Sequence, residues 1–464
     1  MNLMKSKWRG RSSVSLTVLF MLAAIIAAGV FLRAQALLGT EVSEPLQAEA
    51  AEAYALAQTL SSQGAYQVLV APFDSSSEAA ATGGEALGSL GYPLFLSLFA
   101  TPEATANSLT AAVIAQLVLG ALAILLVFML GTRLMDPHWG LIIAFLTAVS
   151  PFLVNVSLYL VGATLLLVTL ILYLMTATKL GERGAMLRTF VAAALLGVVA
   201  LVDPTYQFLI LPWVLLLFVT GRTSASKIVL PLAAVLGFAL VFGPWIARNQ
   251  NVIDAPIDAA PIATSIQQGM PPADAANATM AAQGADSPSV IAALGRLGGG
   301  LIKDPIGFLS WYFVEKPQRL WSFGQPTSAE QSFVYPVLQT PYAENPLFLT
   351  SEEFMGILHG PLLLIGAIGM IFVWLPFAGR RLTPSQRIGL RSISLVLIYA
   401  TLAHLFGAAE PHYATPLLPL VFVMALTPLY ILTARRLEAA PPKKSKTAPE
   451  SEAESEQEAD AETA

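Results

Sequence analysis

The sequence predicts an all-α polytopic membrane protein of about ten transmembrane helices, with amphipathic helices on its external side. Three observations predict it. The 464 residues are 55% hydrophobic and only 12% charged, with mean hydropathy +0.66, and that charge content is about half of what soluble domains carry. The apolar residues gather into runs of about 17–25, the length that crosses a hydrocarbon core. The cations then fall on alternate connecting segments, with 19 of the 25 Lys and Arg on one side.

Taken in order, the first run covers 13–32 and follows Lys5, Lys7, Arg9 and Arg11. A cleaved signal peptide is the competing reading, with Ala34-Gln35-Ala36 resembling a cleavage site. The run is long enough to span, and further spans follow, so it reads as a retained helix behind a cytoplasmic N-terminus, 1–12. The other runs are 111–131, 138–158, 160–178, 189–203, 205–220, 228–246, 356–377, 391–408 and 413–434. Asp203-Pro204 divides the fifth from the sixth, because proline stops a helix and restricts the residue before it. With the N-terminus inside, Arg133, Lys179, Arg183, Arg188, Arg222, Lys227, Arg380, Arg381, Arg387, Arg391, Arg435, Arg436, Lys443, Lys444 and Lys446 all lie inside as well. The positive-inside bias then places both termini in the cytoplasm.

Two long external segments remain, about 33–110 and 249–355. The first holds a helical, carboxylate-bearing stretch, a Ser/Ala/Gly-rich stretch (Ser75 to Gly88) and then Gly91-Tyr92-Pro93. The second opens rich in Ala, Pro, Gly and Gln through Ser289, which fits a lid-like loop. It then turns aromatic around Trp311-Tyr312-Phe313 and Trp321-Ser-Phe323, beside Lys316 and Arg319. Aromatic rings interleaved with cations fit a helix lying in the outer interface, against membrane lipids. The transmembrane domain runs over 13–435, and 436–464 lacks periodicity and reads as a disordered cytoplasmic tail.

Several chemistries lack their residues. Cysteine is absent, which removes disulfides and thiolate ligands. The four histidines (His138, His359, His404, His412) form no i, i+4 pair, and there is no Asp-x-Asp, so no metal site is expected. Phosphate-binding glycine loops, dinucleotide fingerprints and Gly-x-Ser-x-Gly are missing, and no cofactor is expected. The near-balanced body gives nucleic acid no basic surface. Asn277-Ala-Thr279 matches a glycosylation sequon, a pattern common by chance.

The unusual polar residues collect at the outer helix ends: Glu49 and Glu52, Asp203, Arg248, and Glu410-Pro411-His412-Tyr413. Ionisable groups near membrane depth are costly and face a cavity or a partner. Each one alone reads equally well as an ordinary loop residue.

In this topology the chain resembles the GT-C glycosyltransferases of the protein O-mannosyltransferase and lipid A aminoarabinose transferase type. The motifs that carry the resemblance are Glu49 to Leu60 after span one, Gly91-Tyr92-Pro93-Leu94-Phe95-Leu96, Leu130-Gly131-Thr132-Arg133-Leu134, Val202-Asp203-Pro204-Thr205, Pro244 to Asn249, and His412-Tyr413-Ala-Thr-Pro416-Leu-Leu-Pro419. The resemblance implies an inverting transfer from a polyprenyl-phosphate-linked sugar to a lipid, glycan or protein acceptor, outside a prokaryotic plasma membrane. It implies that a carboxylate of the first external loop is the general base, here Glu49 with Glu52 as alternative. On a helix Glu52 points about 300° round from Glu49, an adjoining face. It implies Arg248, Arg33, Lys303 and Lys316 as candidate phosphate ligands, with Tyr54, Tyr92, Asp203, Glu410, His412 and Tyr413 lining the site.

The chain departs from that pattern in several places. Glu49 stands where Asp is usual, which moves the base outward by about 1.5 Å. Ala53 replaces a Tyr, with Tyr54 one place late. Leu160-Val161-Gly162-Ala163-Thr164 lacks an acid often found at the outer start of span four. Asp203 stands for an Arg, and His412 for another. A catalytically degenerate scaffold or subunit is the second expectation. A transporter is third, since the chain shows neither repeated halves nor midplane polar residues.

Overall fold

Helices begin where the sequence places hydroxyl, carboxylate and proline punctuation. In the computed structural model, which describes residues 15–64, 67–68, 84–85, 89–180, 184–221, 223–253, 265–267, 269–271, 290–324 and 334–433, helix α1 spans Leu16–Gly39. Ser15 caps it, its Oγ accepting the Val18 amide at 3.2 Å. Helix α2 (Ala48–Gln63) and the short α3 (Gly91–Leu96) follow. Next come α4 (Ala106–Leu134), α5 (Pro137–Val149), α6 (Pro151–Asn155), α7 (Ala163–Ala177) and α8 (Ala185–Val202). Thr105 and Ser108 close a capping box on α4, and Asp136 caps α5 ahead of a first-turn proline, each satisfying amides that a helix start leaves without partners.

The second half continues with α9 (Ile210–Thr220) and α10 (Ser224–Ile253). Three further helices follow: α11 (Val290–Lys303), α12 (Pro305–Ser310) and α13 (Lys316–Leu320). The chain ends in α14 (Pro341–Glu344), α15 (Pro346–Phe372), α16 (Pro384–Phe406), α17 (Pro411–Ala414) and α18 (Leu418–Thr433).

Every predicted apolar run is helical, but the helices are not equal in length. Among the described residues, seven are long and apolar enough to cross a membrane: Leu16–Gly39, Ala106–Leu134, Ala185–Val202, Ser224–Gln250, Pro346–Phe372, Pro384–Phe406 and Pro411–Thr433. An eighth is a broken pair, Pro137–Val149 and Pro151–Leu158, bent by 60°. Proline at 151 explains the bend. Ala163–Ala177 and Pro204–Thr220 are apolar but shorter, so length and composition alone do not reach the expected ten. The segments expected at 1–12, most of the lid-like stretch before Ser289, and the tail at 436–464 lie outside the described residues.

The outer face of this bundle is apolar. Phe20, Leu211, Leu232, Ile357 and Leu364 are all exposed, as lipid-facing positions require. Helices α11–α13 carry exposed apolar residues at one end and bury Tyr312 and Lys316 at the other. Ile302 and Ile306 are 85% and 82% exposed, while a π turn at Trp311–Glu315 carries the chain inward between α12 and α13.

Inside the bundle, Arg33 is 2% exposed. Its Nη1 donates to the Gly29 carbonyl at 3.1 Å and the Ala148 carbonyl at 3.5 Å, and its Nη2 to the Leu153 carbonyl at 3.3 Å. Glycines at 120 and 29 leave this region closely packed. A Cβ at Gly120 would stand 2.8 Å from Arg33 Nε, and one at Gly29 2.4 Å from Ile124 Cδ1.

The two long segments between apolar helices, 33–110 and 249–355, are stitched together at their described ends. Glu41–Val42 pairs antiparallel with Val337–Gln339. The Ala50 amide at the start of α2 donates to the Tyr335 hydroxyl at 3.3 Å, and the Tyr159 hydroxyl donates to the Tyr335 carbonyl at 3.1 Å. These bonds set the angle at which α2 meets the bundle.

Candidate active site

Helix α2 lies against the outer ends of α4 and α8. Its buried face is fixed by Tyr54, whose hydroxyl meets Ser108 Oγ at 2.7 Å, and by Gln58, whose amide donates to the Thr101 and Pro102 carbonyls at 3.0 and 3.1 Å. Leu56 packs with Ala200, Phe242 and Trp245. With that face committed, Glu49 and Glu52 are left on the other, beside a cavity of about 330 Å³. That volume is within the range of small-molecule sites, roughly 300–1,000 Å³.

Four further segments close the cavity. Asp203, Pro204 and Thr205 come from the turn after α8, and Tyr92 and Pro93 from α3. Leu160 to Ala163 form an apolar wall, and His404, Ala408, His412 and Tyr413 come from the junction of α16 and α17. Thus Glu49, Glu52, Tyr92, Asp203, His412 and Tyr413, far apart in the chain, meet in one space as the sequence pattern implies. The missing family acid is visible in structural terms, since the segment that lacks it is the apolar wall.

The carboxylate of Glu49 accepts a hydrogen bond from the Tyr413 hydroxyl at 2.8 Å. Desolvation by the surrounding protein raises its pKa from the usual carboxylate range. The Tyr413 bond pulls it back down, and the Asp203 carboxylate pushes it up. The carboxylate still reaches solvent, so it sits at the mouth rather than the floor. Asp203 spends one oxygen on the Thr205 amide at 2.9 Å, which starts the turn at Pro204. The phenol of Tyr92 donates to Gln116 Oε1 at 2.7 Å, and burial holds its pKa well above the ordinary phenol value. It lines the wall as a neutral group.

His404 belongs to this site, although the sequence marks it only as a residue packed in a span. Its ring stacks on Tyr413 with centroids 5.0 Å apart and planes 13° apart, and its Nδ1 meets the Ala408 carbonyl at 2.9 Å. Ser265, from the second external segment, also lines the cavity. Nothing in its local sequence distinguishes it.

The remaining candidates lie elsewhere. Tyr54 is spent on Ser108, and Arg33 is buried among bundle carbonyls. The Arg248 guanidinium covers the Trp245 ring at 4.9 Å and donates to Asn249 Oδ1 at 2.9 Å. Glu410 pairs with Arg319 at 2.7 Å. Lys303 is exposed on α11. Lys316 is buried, its Nζ donating to the Gly269 and Gly407 carbonyls at 2.8 and 2.5 Å. None of these lines the cavity. Among the described residues no group of three or more His, Asp or Glu converges as a metal site.

No protein-family model matches the chain, and no curated protein sequence does. Solved structures do. The oligosaccharyltransferase of Archaeoglobus fulgidus in its apo form superposes with a TM-score of 0.50 at 16% identity, over 93% of this chain and 51% of that one. The oligosaccharyltransferase AglB of the same organism, in complex with an inhibitory peptide and a dolichol-phosphate, gives 0.45 at 16% identity over 89% and 50%. The chain therefore spans about half the length of these relatives. At such identity the likeness is one of fold, a polytopic helical bundle shared with these oligosaccharyltransferases.

Proposed function

We propose that the chain is a membrane glycosyltransferase, taking a sugar from a polyprenyl-phosphate carrier and passing it, with inversion, to an acceptor outside the membrane. One observation carries this reading: the Glu49 carboxylate, with its pKa raised by desolvation and its orientation held by Tyr413, opens onto the cavity at the outer end of the apolar helices.

The chemistry asks for each part. A base must lie within hydrogen-bond reach of the attacking hydroxyl or amine, and it works best with a pKa raised toward the operating pH. Glu49 takes that proton while the acceptor attacks the anomeric carbon and the bond to the phosphate oxygen breaks. Asp203 and Glu52 hold sugar or acceptor hydroxyls, and the apolar wall at Leu160 to Ala163 excludes water. A carrier with a lipid tail has to be met at the bilayer edge, where apolar helices end. The site then faces outward across a plasma membrane, with both termini inside, as the cation bias of the loops supports.

The described lining contains no Lys or Arg, an observation that favours a second reading, a GT-C-like scaffold without activity. Labelled-sugar transfer from polyprenyl-phosphate donors in membranes expressing wild type and Glu49→Gln separates the two. Transfer by wild type, with a loss of about 10²–10⁴-fold in the variant, is the expected result. No transfer by wild type across several donors selects the scaffold.

A further inference from the structure

Phosphate departure needs fixed positive charge, and the cavity holds neither Lys nor Arg in its described lining. The groups there able to carry a positive charge are His404 and His412. The two are not equivalent. His404 Nδ1 lies 2.9 Å from the Ala408 carbonyl. A carbonyl only accepts, so Nδ1 keeps its hydrogen, and in the neutral ring Nε2 is a bare lone pair. The ring plane is fixed by parallel stacking on Tyr413, the residue that also holds Glu49. Nε2 therefore becomes a donor only by taking up a proton.

We propose that His404 is the anion-recognition group of the cavity, and that seating a prenyl phosphodiester brings a proton onto its Nε2, which then donates to a phosphate oxygen. This rests on the reading of the cavity as the site of a phosphate-linked donor. Atoms and charges balance. The acceptor's proton goes to Glu49, and the glycosyl carbon gains a bond to the acceptor and loses its bond to phosphate. The electron pair stays on the phosphate, whose new negative charge the imidazolium neutralises. The charged and titratable groups around His404 are Asp203 from the turn after α8 and Lys316 from α13, Tyr413, His412 and Glu410 at α17, and Glu49 on α2 beyond Tyr413.

The test is binding without transfer. Farnesyl methyl phosphodiester, whose single negative charge does not titrate between about pH 5.5 and 8.5, is bound to the purified full chain across that range, which spans histidine titration. Wild type is expected to lose affinity as pH rises, by up to about tenfold per unit for one linked proton. His404→Gln, a donor that does not titrate, is expected to bind with no slope. His404→Phe keeps the ring on Tyr413 without nitrogens and is expected to bind about tenfold or more weakly at the acid end. His412→Gln is expected to keep the wild-type slope. A flat wild-type profile, a slope surviving in His404→Gln, a slope lost in His412→Gln, or wild-type affinity in His404→Phe each overturns the proposal. Short-chain phosphatidylglycerol is expected not to displace the probe; equal displacement makes the ligand a bulk phospholipid headgroup and overturns the prenyl assignment. Wild type that binds the probe with this slope yet transfers no sugar strikes the catalytic reading and leaves this one standing. Absence of binding by wild type at every pH removes the donor-site reading together with this one.

Discussion

Two places in the described structure treat their polar groups in opposite ways. Around Arg33, inside the bundle, the Nη groups are turned onto backbone carbonyls of α1, α5 and α6, and glycines at 29 and 120 make room for them. At the outer cavity, Glu49 shares one bond with Tyr413 and Asp203 one with Thr205, yet both also line an open space with His404 and His412. Burying a charge is costly unless neighbouring groups compensate it. Where the compensation comes from the protein itself, the group holds helices together. Where polar groups line a cavity, as at Glu49 and Asp203, they remain available to a ligand.

The largest effect that can break this contrast is at Arg33. Arg33→Ala should cost about 2–5 kcal/mol, through lost packing and lost hydrogen bonds at a closely fitted site. It should appear as a lower unfolding midpoint in detergent, while the folded fraction still transfers sugar at the wild-type rate. Unchanged stability together with lost donor binding would instead make Arg33 the phosphate ligand that the family pattern implies.

A middle-sized effect is expected at Tyr413. Its hydrogen bond favours the charged form of Glu49, so Tyr413→Phe raises that carboxyl further and leaves less of it ionised at a given pH. The acid limb of the kcat/KM profile should move to higher pH, with a loss of a few-fold to about tenfold near neutrality. An acid limb that stays in place would separate Glu49 from the base.

These two sites were not equally legible in the sequence. Apolar run length and cation alternation exposed the helix order, and the outer-end acids with Asp203-Pro204 and His412-Tyr413 exposed most of one cavity wall. The 60° bend at Pro151 was less visible, because the run at 138–158 reads as one continuous apolar stretch. The cations were least legible. Arg33 and Arg248 sit near predicted helix ends and Lys316 in the predicted interfacial helix, but whether a long side chain turns outward to a cavity or back onto carbonyls and rings depends on neighbours distant in sequence. Gly120 decides it for Arg33, and Gly269 with Gly407 for Lys316. His404 was obscured for the converse reason: a histidine inside an apolar run looks like core until α17 brings Tyr413 against its face.

The smallest effect concerns Lys316, whose amine is turned inward like Arg33 but lies beside the cavity. Burial lowers its pKa to about 7, and the nearby Arg319 adds to the shift. A lysine lowered in the folded state binds fewer protons there than in the unfolded chain, where it titrates near the ordinary value of about 10.4. Stability therefore rises with pH between about 7 and 10, wherever the unfolded state holds the extra proton. Lys316→Met removes that contribution and keeps most of the side-chain length. The difference in unfolding midpoint between wild type and variant should shift in favour of wild type as pH rises through this window, because the neutral amine still donates to the Gly269 and Gly407 carbonyls. A pH-independent difference would mean that the amine stays charged when folded, which would put a permanent cation beside His404 and weaken the distinction between the carbonyl-bonded interior and the cavity.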